Sequence, residues 1–151
     1  MTERSEVRKH GAYLVVAHRT LIEDHLLDHV RSLCADGDRT FHLVVPVWHP
    51  RGAWTDGEVE AAARRRLDEG LAAFERVGAE VTGEVGDANP VYAVGTAMRA
   101  HPDQEWVGII VSTLPRGLSR WLGLDVVSRL QHEYEDLPVT HLEAARAPAE
   151  A

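Results

Sequence analysis

The stretch from Ser112 to Arg120 (Ser112, Thr113, Leu114, Pro115, Arg116, Gly117, Leu118, Ser119, Arg120) holds three hydroxyls and two guanidinium groups within nine positions. It follows an apolar run and precedes a helical pattern. Amides at a helix start point outward and the helix dipole there favours negative charge, so Arg116, Ser119 and Arg120 suit a phosphate or a carboxylate. The same residues also serve a plainer role, with hydroxyls capping their own helix and arginines pairing with acids such as Asp125. His18, followed by Arg19 and Thr20, is placed to hydrogen-bond a ligand or move a proton. A histidine at a strand end also serves simply by bonding nearby backbone. Gly86 and Asp87 suit a ribose or a base edge, or else a turn ahead of Asn89-Pro90.

Other polar groups carry less. His25 and His29 stand four apart, a metal-ligand spacing on a helix, but there is no HExxH and both project away from the face made by Leu26, Leu27 and Val30. They read as a solvated face. His42 and His49 show no ligand partner, and no metal or cofactor is expected. Ser119 is followed two residues later by Trp121 rather than glycine, so there is no nucleophile elbow. A Walker loop and a G-x-G-x-x-G turn are also missing, and no nucleophile with an orienting partner is legible. Trp48, Trp54, Trp106 and Trp121 read as core or interface residues, since no basic groove accompanies them.

The elements that position these groups follow from periodicity. Tyr13–Ala17 is a short apolar run of the kind buried on both faces of a parallel sheet. Thr20 and Glu23 have capping-box spacing, and Leu26, Leu27, Val30, Leu33 and Cys34 then define a helix face that stops at Asp36-Gly37-Asp38. Phe41–Val47 reads as the second strand. Thr55 and Glu58 repeat the capping box before a long helix striped by Val59, Ala63, Leu67, Leu71 and Phe74. Arg64, Arg65 and Arg66 fall on its solvated side, near acids at helical spacing. Glu80–Val85 alternates as a third strand. Asn89-Pro90 starts a helix as N-cap and first-turn proline. Trp106–Val111 is the fourth strand, Leu118–Tyr134 is helical in one or two pieces, and Leu137–Leu142 closes as a fifth strand.

Strands alternating with helices imply an open α/β sheet of five parallel strands with helices on both faces. Ligands in such sheets bind beyond the carboxyl ends of strands where the strand order reverses. The stretches to inspect are therefore His18–Thr20, Gly86–Asn89 and Ser112–Arg120. Residues 12–142 form one domain between loose tails at 1–11 and 143–151.

The 151 residues are enough for one domain with a proper core, and 44% hydrophobic with 26% charged is an ordinary globular balance. A net charge of −8 argues against general affinity for nucleic-acid phosphates or anionic membranes. Cys34 is the single cysteine, which excludes an intrachain disulfide and fits a reducing cytoplasm. No run approaches the roughly 20 apolar residues of a membrane span.

Three stretches then resemble the universal stress proteins. Gly86-Asp87 resembles that family's Gly-Asp-Pro turn, with the proline delayed to Pro90. Gly117–Leu122 resembles the segment after its fourth strand, and Leu137–Leu142 resembles its closing Cys-Pro-Val ending. The resemblance implies a Rossmann-like sheet of order 3-2-1-4-5. Nucleotide-binding members carry an Asp ending the first strand and a G-x2-G-x9-G-[ST] loop after the fourth. Here Ala17 or His18 takes the Asp position, Val111, Leu114 and Leu124 take the glycines, and Asp125 takes the hydroxyl. Each replacement opposes ATP binding in the family manner.

The resulting expectation is a small-ligand-binding or regulatory protein with an anionic ligand held by His18, Arg19, Thr20, Gly86, Asp87, Ser112, Thr113, Arg116, Gly117, Ser119 and Arg120. Two alternatives stand beside it. One is a non-catalytic module, homodimeric through the C-terminal edge strand, with a vestigial cleft. The other is an enzyme acting on an anionic small molecule.

Overall fold

Alternating apolar strands and one-sided helices assemble, in this computed structural model, into a five-stranded parallel sheet of order β3-β2-β1-β4-β5. The residues described are 10–17, 20–49, 52, 54–115 and 125–144. The strands are β1 (His10–Val16), β2 (Asp38–Pro46), β3 (Glu80–Gly86), β4 (Trp106–Thr113) and β5 (Val139–Glu143). Between them run α1 (Asp24–Asp36), α2 (Asp56–Arg76), α3 (Pro90–Ala100) and α4 (Val126–Glu133). No helix among the described residues is long and apolar enough to cross a membrane.

Side chains alternate across each strand, so neighbours in sequence feed two separate cores. Val15, Phe41, Leu43 and Ile110 pack under α1 and α2, against Leu26, Val30, Leu67 and Phe74. Leu14, Val16, Val44 and Ile109 pack under α3 and α4, against Val94, Ala97, Val126 and Leu130. Burying each such side chain contributes roughly 1.5–3 kcal/mol, which is why the central strands read as continuous apolar runs. Cys34 packs at the margin of the first core, and burial pushes its thiol pKa up, as befits an inert thiol.

Two helix starts form as their sequences dictate. Thr55 and Glu58 make a reciprocal capping box, and Asn89 Oδ1 accepts the amides of Val91 and Tyr92 with Pro90 in the first turn. The third does not. The Thr20/Glu23 capping box is absent: α1 begins at Asp24 with Glu23 as an N-cap that makes no side-chain bond. Thr20 instead accepts the Glu23 amide on its carbonyl at 3.1 Å and turns its side chain into the core.

The strands also differ in extent. β1 starts at His10 and β5 reaches Glu143, both inside the stretches assigned to tails. β4 runs to Thr113, so Ser112 and Thr113 belong to the strand and not to the loop after it. Of the helical stretch expected from Leu118, residues 118–124 lie outside the described residues, and the helix observed is Val126–Glu133.

Candidate functional site

The strand order reverses between β1 and β4, and the carboxyl end of β4 carries consecutive hydroxyls. Ser112 and Thr113 point to opposite faces of the sheet, each almost fully buried. On the α1 side, Ser112 Oγ lies 2.6 Å from Thr20 Oγ1 and 2.9 Å from His25 Nε2. On the α4 side, Thr113 Oγ1 lies 2.8 Å from His141 Nε2. Each hydroxyl at the reversal point is thus paired with an imidazole, one from the first turn of α1 and one from β5.

His25 was expected to face solvent. Its place in the first turn of α1 instead carries it across to β4. Burial lowers its pKa below the ordinary histidine value, against the opposing pull of Glu23 and Asp24, so the ring is neutral at pH 7. A neutral ring lets the Thr20–Ser112–His25 chain carry its protons in either direction, the imidazole donating or accepting according to its tautomer.

Thr20, Ser112 and Thr113 therefore gather at the end of the sheet where ligands bind in this architecture. Gly86 and Asp87 each have a structural role at the end of β3. A Cβ on Gly86 would lie 2.8 Å from the Cβ of Ala93, so glycine there lets α3 pack closely on β3. Asp87 Oδ1 accepts the Asn89 amide at 2.9 Å, closing the turn that launches α3. His18, Arg19, Arg116, Gly117, Ser119 and Arg120 lie outside the described residues.

The same end carries the large apolar side chains most exposed among the described residues: Ile22 after β1, Trp48 and Trp54 after β2, and Tyr92 in the first turn of α3. Trp48 and Trp54 are thus surface groups rather than core.

A second polar cluster was not legible in the sequence. His42 on β2 is buried and turns toward the α3 face, with Nδ1 2.8 Å from Thr82 Oγ1 and Nε2 3.0 Å from Glu84 Oε1. The same carboxylate oxygen lies 3.2 Å from Nε2 of His101, the residue that ends α3. Trp106 meets the His42 ring edge-on at 6.3 Å. Burial lowers the His42 pKa and outweighs the pull of Glu84. Burial raises that of Glu84, but the bonds from His42 and His101 prevail and hold the carboxyl below its usual range. The available signal was parity. His42 interrupts an apolar strand, and Thr82 and Glu84 share one face of the strand beside it. Only the register His42↔Thr82 and Val44↔Glu84 makes them neighbours.

No protein-family model and no curated protein sequence matches the chain. Among solved structures, it is similar to the crystal structure of a protein from the universal stress protein family from Burkholderia pseudomallei. That match has a TM-score of 0.57 and 20% sequence identity, and covers 89% of this chain and 97% of that chain. At that identity the likeness supports the family resemblance by fold. The sheet order 3-2-1-4-5 with helices on both faces is the expected one.

Proposed function

We propose that the chain is a small-ligand-binding regulatory protein, working in a reducing cytoplasm, that holds an anionic ligand at the reversal point between β1 and β4. The observation that carries this reading is the Thr20–Ser112–His25 chain at the carboxyl end of β4, its two hydroxyls buried and its imidazole half-buried. Thr113 and His141 lie on the other face of the same strand end. Polar groups converging at one point, with exposed aromatic side chains on neighbouring loops, are what a small-molecule site requires. Arg116 and Arg120 follow β4 closely in sequence and supply positive charge for a phosphate or carboxylate.

The test is the shift in melting temperature produced by inorganic phosphate or sulfate. The parent should gain stability, and Arg116→Ala and Arg120→Ala should lose most of that gain. If both variants respond like the parent, the segment after β4 is not the site.

A second reading is favoured by the place of β5 at the edge of the sheet, which suits pairing with a second copy of the chain. In that reading the chain is a non-catalytic homodimeric module and its cleft holds nothing.

A further inference from the structure

We infer that His42, Glu84 and His101 form a binding site for one divalent transition-metal ion, with zinc the best-fitting ion. The three side chains come from β2, β3 and the residue after α3, and their candidate ligand atoms all lie within 4.8 Å of one another. Both Nε2 atoms already converge on a single carboxylate oxygen, at 3.0 and 3.2 Å. Tetrahedral zinc with bonds of about 2.0–2.2 Å sets its ligand atoms roughly 3.3 Å apart. An ion therefore replaces the protons shared through Glu84 once the ligand atoms that stand farther apart, within 4.8 Å, close to that spacing.

The surroundings fit a metal as well as the ligands do. Thr82 Oγ1 sits on Nδ1 of His42, so with Nε2 on the metal the Nδ1–H donates to that hydroxyl. This is the outer-shell partner that fixes tautomer and ring orientation in histidine metal sites. The His42 side chain is 8% exposed, whereas Glu84 and His101 are 31% and 37% exposed. The cluster is anchored in the core and open on its outer side, which leaves a path for the ion and room for water as a fourth ligand. Two imidazoles and one carboxylate favour zinc and its neighbours in the first transition row over magnesium or calcium, which prefer all-oxygen shells.

The site lies on the opposite face of the sheet from Ser112, and it stands independently of the ligand reading above. An ion held there ties the end of α3 to the two strands beneath it, and binding to the folded state alone raises stability by mass action. No metal was expected from the sequence, because His25 and His29 lack an HExxH and read as a solvated face while His42 and His49 show no obvious ligand partner; the register of β2 and β3 sets Thr82 and Glu84 beside His42.

The experiment is calorimetric titration of zinc into the full chain after chelator treatment, with anomalous scattering at the zinc edge from soaked crystals. The expected result is one equivalent bound with micromolar or tighter affinity and an anomalous peak between His42, Glu84 and His101. His101→Ala and Glu84→Gln should each weaken binding at least about tenfold. His29→Gln and His49→Gln should bind as the parent does. Both weakened variants alter partly exposed side chains, and circular dichroism confirms that they are folded. The anomalous peak decides the matter if either is not. Millimolar or unsaturable binding, affinity unchanged in His101→Ala, or a peak elsewhere overturns the site.

Discussion

Thr20 Oγ1 and Ser112 Oγ lie 2.6 Å apart although 92 residues separate them, and both residues are about 1% exposed. The bond ties the turn leaving β1 to the last part of β4, across the point where the strand order reverses. A hydroxyl buried this deeply destabilises the fold if its partner is removed, so the two positions are coupled energetically.

Ser112→Ala should destabilise the fold by about 1–3 kcal/mol, because it leaves Thr20 Oγ1 buried without its partner. Thr20→Val should cost less, since Ser112 keeps its bond to His25. The double variant should be no worse than Ser112→Ala alone. Urea denaturation of all four proteins measures the coupling, and strict additivity would show that the pair is not coupled.

Gly86→Ala tests whether this glycine serves packing or a ligand. An added methyl meets Ala93 Cβ at 2.8 Å and Val44 Cγ1 at 3.2 Å, so α3 must shift outward. Overpacking of this kind should lower stability by roughly 1–3 kcal/mol, read from the urea midpoint. A neutral result would mean that α3 yields freely at this contact.

The histidine at the start of α1 makes stability depend on pH. Its folded-state pKa is lowered from 6.5 by burial, so between that lowered value and 6.5 the unfolded chain binds more protons than the folded one. Its contribution is complete above pH 6.5 and is lost progressively as the pH falls through the folded-state value. The parent should therefore melt at a lower temperature at pH 5.5 than at pH 7.5. In His25→Gln that difference should narrow, and an unchanged gap would remove His25 from the account.

ATP should bind weakly at most. On the alignment that the family resemblance implies, one glycine position falls on Val111, which lies fully buried within β4, and another on Leu114, just beyond its end. The same alignment puts Asp125 at the hydroxyl position, an exposed residue with left-handed backbone, φ 60°, whose negative charge would oppose a phosphate there. Calorimetry with magnesium-ATP should give no constant in the micromolar range.

Dimerisation through β5 has a sharper test once the ladder is known. Ile109 N–H donates to the Pro138 carbonyl and Ala144 N–H donates to the Thr113 carbonyl. Thr140 and Leu142 therefore direct their backbone groups at β4, while Val139 and His141 direct theirs away from it. A parent dimer in sedimentation should dissociate in Val139→Pro with the fold intact. Thr140→Pro should instead break the β4–β5 ladder and destabilise the monomer. A parent that is monomeric at high concentration, or a dimer indifferent to Val139→Pro, rules the interface out.

What the sequence determined by itself is the alternation of strands and helices, the sheet order that the resemblance implies, and two helix starts. Periods of two and about 3.6 residues, a capping box at Thr55 and an Asn89-Pro90 start are local signals, and local structure forms wherever nothing nearby competes with it. The tertiary structure decided where local signals met long-range ones. Thr20 has the spacing of a cap, yet its hydroxyl is bonded across the sheet to Ser112, because a buried hydroxyl on β4 needs a partner more than an exposed helix end needs a cap. His25 looked solvated until the docking of α1 turned it toward β4. The cluster of His42, Glu84 and His101 joins side chains 17 and 42 residues apart. Its existence depends on the pairing register of β2 with β3 and on where α3 ends over them, and neither is written in the neighbourhood of any one of the three residues.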